Sequence, residues 1–251
     1  MKGLFKGLLC SVGWAVALLL LYSAQAGAEG TGTGIATPGS PHNFADDYKA
    51  GLLVAGSEIG TTGWNKREEI CRACHVPHDH NRSQNYGANG LLWNRQVSNA
   101  TYVMYSSSSL NGSIASAPTG IAKMCLGCHD GTVAIDTFDK YTGVTVFMNN
   151  YDADFQVPGP LYTGDLSKTH PISITYDENA DNGLNPKSTP MGTSGTIADV
   201  LQNGNTVQCS SCHDIHDQAG EAVPGTHLLR AAQTVATGGT ASGLCLTCHK
   251  K

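Results

Sequence analysis

The stretch "CRACHVPHDH" at residues 71–80 sets two cysteines and three histidines within ten positions. Two thiols separated by two residues, with a histidine directly after them, suit covalent attachment of a haem. The sulfurs form thioethers to the porphyrin, and the imidazole takes one axial place on the iron. The same pentapeptide recurs three times. Cys71-Arg72-Ala73-Cys74-His75 is joined by Cys125-Leu126-Gly127-Cys128-His129, Cys209-Ser210-Ser211-Cys212-His213 and Cys245-Leu246-Thr247-Cys248-His249. Of nine cysteines, only Cys10 falls outside the pattern. A disulfide framework or zinc sites would account for paired cysteines, but neither needs a histidine after every second one. The pattern predicts four c-type haems, with His75, His129, His213 and His249 as proximal ligands.

Four irons need four further ligands if none is to stay open. Outside the motifs the chain offers His42, His78, His80, His170, His216 and His227, six residues for four places. The surplus predicts bis-histidine coordination throughout. His78 and His216 each lie three residues after a proximal histidine, in "CHVPH" and "CHDIH". So short a tether does not easily reach the opposite face of the same porphyrin, so each is expected on the iron of a neighbouring haem. His80 is then a bystander. His170 precedes Pro171, which restrains the backbone at a ligand, and it is expected to bind iron. His42 and His227 compete for the last place, and the residues alone leave that choice open. Met104, Met124, Met148 and Met191 could serve instead and would raise the potential, but the surplus of histidines makes them the lesser expectation.

The elements that must hold these groups are modest. Lys2 and Lys6, the apolar run Leu8–Leu21 and the small residues after it predict a signal peptide over 1–28. The run is short for a membrane span, and no later segment approaches the roughly 20 residues required. Loss of Lys2 and Lys6 reduces the 15 basic residues to 13 against 20 acidic ones, a formal charge of −7 for the exported chain. Such a balance argues against nucleic acid as a partner, which needs a basic face. Charged residues are only 14% of the chain, where about 25% is usual, and glycine is abundant. A chain of this kind has little core of its own and is expected to fold around its cofactors. Helical pieces are expected at the motifs, over "WNKREEICRACH", "GIAKMCLGCH" and "ASGLCLTCHK", with short strands near Val144–Phe147 and Ile172–Tyr176. The expected fold is a multihaem cytochrome c, mostly coil with short helices and few strands, organised around a stack of four haems. Its parts are a flexible N-terminal arm over 29–41 and a single elongated domain over 42–251. Asp177, Asn179 and Asp181 begin a pattern like a calcium loop, but Asn182 and Ser188 replace its glycine and glutamate. A polar turn is the expected reading.

With the motifs placed, the chain resembles the OmcE-like tetrahaem c-type cytochromes of metal-reducing bacteria, which polymerise into extracellular filaments. The resemblance runs from about residue 40 to the C-terminus, through "SPHNF", "CRACHVPH", "LLWN", "YVMYSS", "MCLGCHDGTVAID", "HPISITYD", "VQCSSCHDIH", "LLR" and "LCLTCHK". It implies four bis-histidine haems in a continuous stack, with His42, His78, His170 and His216 as the distal set. It further implies a homopolymer in which one axial histidine is donated by an adjacent subunit, His42 being the expected donor. Localisation would be extracellular or at the cell surface, with other redox cytochromes as partners.

The function expected first is electron transfer along such a filament to external acceptors, with no catalysis. The alternative is a monomeric periplasmic tetrahaem shuttle. A multihaem enzyme acting on nitrogen oxides or hydroxylamine is a third reading, and it would need an open iron site.

Overall fold

Each C-x-x-C-H pentapeptide winds as one helical turn. In a computed structural model, which describes residues 30–45, 65, 69–77, 91–133, 138, 164–202 and 205–250, the amide of His75 donates to the carbonyl of Cys71 at 2.8 Å. His213 donates likewise to Cys209 at 3.0 Å, and His249 to Cys245 at 2.9 Å. The second motif closes the longest helix, α1 (Gly120–His129). Cysteines three apart on one turn share a face, so the turn itself delivers both sulfurs and the histidine to one side.

The remaining elements are short. The first motif forms a 3-10 turn at Cys71–Ala73. Strand β1 (Ile174–Thr175) pairs antiparallel with β2 (Thr206–Val207), with Ile174 opposite Val207. Helix α2 (Ile197–Val200) opens with a capping box between Thr196 and Asp199. Helix α3 (Cys209–Cys212) carries the third motif and α4 (Gly243–Cys248) the fourth. α1 spans the residues expected from sequence. β1 is shorter than the expected strand because Ser173 has a φ of +56°, which breaks the extended run. Its hydroxyl instead accepts the Thr119 amide at 2.9 Å, at the entrance of α1. The signal-peptide segment, His78, His80, Met148 and the strand expected near 144–147 lie outside the described residues.

Among the described residues two small apolar clusters hold the frame. One gathers Tyr176, Met191, Ile197, Val200 and Ala231, with Cys248 at its edge; the other gathers Trp93, Val97 and Met124, with Cys74 at its edge. Met124 and Met191 are thus spent on packing. Polar bonds join the clusters. The Ala122 amide in α1 donates to Gln208 Oε1 at 3.0 Å, and Ser211 Oγ in α3 donates to the Val200 carbonyl at 2.9 Å. Gly127, between the cysteines of the second motif, lets α1 approach the 96–97 backbone. A Cβ there would stand 3.0 Å from the Gln96 carbonyl oxygen. No helix among the described residues is long and apolar enough to cross a membrane.

The N-terminal arm makes contacts with the C-terminal half of the chain. Asp217 is fully buried at a φ of +52° and clamps the arm's start. Its Oδ2 accepts from the Thr31 amide at 2.8 Å and hydroxyl at 2.7 Å, and its Oδ1 accepts from the Gly32 amide at 2.7 Å. Gly30 adds backbone bonds to Thr226 at 2.6 Å and from Gly225 at 3.0 Å. Residues 30–45 therefore form a strap laid across their own chain.

Candidate functional site

The eight motif cysteines, Cys71, Cys74, Cys125, Cys128, Cys209, Cys212, Cys245 and Cys248, are all free thiols. Their sulfurs neighbour one another from motif to motif. Cys74 lies near Cys128, Cys125 near Cys209, and Cys212 near Cys248 and Cys245. Burial, with Cys128 nearby, pushes the Cys74 thiol up to about 12. Burial pushes Cys212 and Cys248 up to about 11. Thiols held in the protonated form are poor partners in disulfide exchange.

The imidazoles come together in pairs. The rings of His42 and His129 have centroids 6.2 Å apart, those of His75 and His216 6.4 Å, and those of His170 and His249 6.2 Å. Ordinary aromatic contact does not require so narrow a range. Two imidazoles on opposite sides of one metal do: a bond of about 2.0 Å and about 1.2 Å from nitrogen to ring centre, on each side, set the centroids roughly 6.4 Å apart. Each pair joins one proximal histidine to one histidine outside the motifs, so no proximal ring is paired with another. His213 is the fourth proximal ring, and His78 lies outside the described residues. Among the described residues no three His, Cys, Asp or Glu side chains form a metal cluster. The ligand geometry is therefore that of paired rings, which suits an iron already held in a porphyrin plane, and the thiols beside it suit the thioether anchors.

His75 and His213 are positioned by the same local device. The Nδ1–H of His75 donates to the Leu91 carbonyl at 2.5 Å, and that of His213 donates to the His227 carbonyl at 2.6 Å. Each bond fixes the ring and its tautomer, leaving Nε2 free to bind a metal. The supporting strands match as well. His75 bridges Trp93 and His213 bridges Leu229. Ahead of these, Leu92 and Leu228 both take positive φ, at +49° and +60°. Residues 71–75 with 91–93, and 209–213 with 227–229, thus repeat one ligand-holding arrangement, which the irregular spacing of the motifs conceals. Burial, with His213 nearby, lowers the His129 imidazole despite Asp130 beside it, and burial lowers His213 too. Both favour the neutral ring that binds metal.

His42, the residue expected to be donated to an adjacent subunit, lies on the strap with its ring against His129 of the same chain. The reason is the Asp217 clamp, which ties the strap's start to the turn after His216. His227 contributes its backbone carbonyl to the site. The acidic loop is a self-contained turn: Asp177 accepts from the amides of Asn179 and Ala180 at 3.0 and 3.2 Å, and Asp181 from Gly183 at 2.8 Å. Sequence reasoning missed the buried carboxylates Asp130, Asp214 and Asp217, each directly after a histidine of the site. The pattern His-Asp, twice within C-x-x-C-H-D, was the available signal. No protein-family model matches the chain, and no curated protein matches it.

Proposed function

We propose that the chain is an electron-transfer protein that holds four c-type haems in a contiguous series. The observation that carries this reading is the set of three imidazole pairs, each with one ring from a C-x-x-C-H motif and all at the spacing of two ligands on one metal. Bound haem iron would supply reversible one-electron chemistry. The residues of the chain do the rest. The eight cysteines anchor the porphyrin edges. His75 with His216, His129 with His42, and His249 with His170 close three irons on both faces. His78 is the remaining ligand for the iron of His213. Closed irons leave no place for a substrate to bind, which favours transfer over an enzymatic role.

Assembly into an extracellular filament is part of this proposal, and it rests on the resemblance noted above. The low density of charge supports it, since like-charged copies must approach closely. Val103 and Val235, exposed by 60% and 76%, would find cover in such an assembly. A monomeric shuttle has the same ligands and differs only in what those surfaces meet. The test is to isolate the protein from a host that attaches haem, measure haem per chain by pyridine haemochrome, and record the ferric spectrum. Four low-spin haems per chain are expected. Fewer than four, or a high-spin band, would sink the reading. Electron microscopy of the same sample then separates filament from shuttle.

A further inference from the structure

Successive carbonyls of an extended strand point to opposite sides, so such a strand does not turn two neighbouring carbonyls onto one partner. Two segments of this chain do. The Leu91 carbonyl accepts from the His75 ring at 2.5 Å, and the next carbonyl, that of Leu92, accepts from the Val76 amide at 2.9 Å. In the second segment the His227 carbonyl accepts from the His213 ring at 2.6 Å, and the Leu228 carbonyl accepts from the Asp214 amide at 2.8 Å. The residue between the two carbonyls is each time a leucine in the left-handed region, at φ +49° for Leu92 and +60° for Leu228. That conformation is unfavourable for a leucine, but it bulges the strand so that both carbonyls face the motif. Pairing with the motif does not by itself demand it. His249 bridges Leu184 through equivalent backbone bonds, from Lys250 to Gly183 at 2.8 Å and from Asn185 to Cys248 at 2.9 Å, and Gly183 takes no positive φ. What the two leucines add to the bridge is a carbonyl on the ring.

We infer that Leu92 and Leu228 are positioning residues, whose left-handed backbone aims the preceding carbonyl at Nδ1 of His75 and of His213 and so sets the orientation and donor strength of two iron ligands. The inference rests on the proposal that four haems are bound. A carbonyl only accepts, so each ring carries its proton on Nδ1 and presents Nε2 to the iron. A ring that donates from Nδ1 is the more basic ligand. A more basic ligand favours the ferric iron and lowers its reduction potential. The leucine side chain is not what matters at residue 92, which is 37% exposed. Any residue that accepts a positive φ should serve there.

The experiment is a redox titration, followed spectroscopically, of the haem-loaded full chain and of Leu92→Val, Leu228→Val, the double variant and Leu92→Gly. Valine is branched at Cβ and does not settle at positive φ, so the carbonyl should swing off the ring. Leu92→Val is expected to raise one of the four components by about tenfold in its one-electron equilibrium constant, or about 59 mV. Leu228→Val should raise a different component, so the double variant should move two. Leu92→Gly takes the left-handed backbone freely and should leave all four in place. Unmoved or lowered components in the valine variants, the same component moved by both, or a glycine shift as large as the valine one would overturn the inference. If a valine variant loads fewer than four haems, NMR of the reduced, diamagnetic wild-type and Leu92→Gly chains gives the second reading. The Nδ1 protons of His75 and His213 should exchange slowly with solvent in both chains, and fast exchange in either would overturn the inference. A wild-type chain with fewer than four haems would instead overturn the reading on which it rests.

Discussion

His216 and His227 both follow the third C-x-x-C-H unit at short range, yet they do different work. His216 presents its ring to His75 at 6.4 Å. His227 gives its backbone carbonyl to the His213 ring. The sequence made His216 legible because it repeats the offset of His78, and a histidine at a repeated offset is a ligand signal. Nothing could have shown the role of residue 227, since any residue type supplies a carbonyl. Nor could sequence choose between His42 and His227 from spacing alone; the choice needs the strap's path. The two histidines therefore predict different outcomes. His216→Ala should leave one iron without its distal ring, so a quarter of the haem turns high-spin in the ferric optical spectrum. His227→Ala should keep all four low-spin, because the carbonyl remains.

At the level of elements, the helical turns at the motifs were readable and the strap was not. "GIAKMCLGCH" carries an apolar face in helical spacing, and α1 follows it from Gly120 to His129. The strap depends on Asp217, which lies 186 residues from Thr31 and reads in sequence as one more polar turn residue. Its Gly- and Pro-rich composition gave no sign of these contacts, which come from outside the segment. Burial alone would raise the Asp217 carboxyl, but the bonds from Thr31 and Gly32 outweigh it and hold it below its usual range. Removal of this clamp should be felt in two ways. Asp217→Ala loses charge-assisted bonds to Thr31 and Gly32, which at this burial should cost about 2–3 kcal/mol, measured by denaturant unfolding of the loaded chain. Limited proteolysis should also cut ahead of His42 in the variant and spare the wild type. A variant as stable and as protected as the wild type would mean that the strap is held elsewhere.

For the molecule as a whole, the apolar clusters and the order of the motifs bear on assembly. Among the described residues two clusters gather five and three buried residues, and on the proposed reading large flat cofactors would add apolar surface to them. Cysteines of successive motifs lie near one another in chain order, first motif to second, second to third, third to fourth. A series of that kind has two ends, and copies can extend it only where those ends meet. His42 faces His129 of its own chain, and on the proposed reading that iron, not a contact between copies, is its place. This yields a prediction opposite to the one the free arm suggested. His42→Ala should change the spectrum of one iron and leave filaments intact in electron micrographs, provided the chain forms them at all. If the variant keeps low-spin irons in isolated subunits but no longer polymerises, then His42 leaves its own chain in the assembly. The strap would then have to release His129 as each new copy arrives, and the Asp217 clamp would be the contact that opens first.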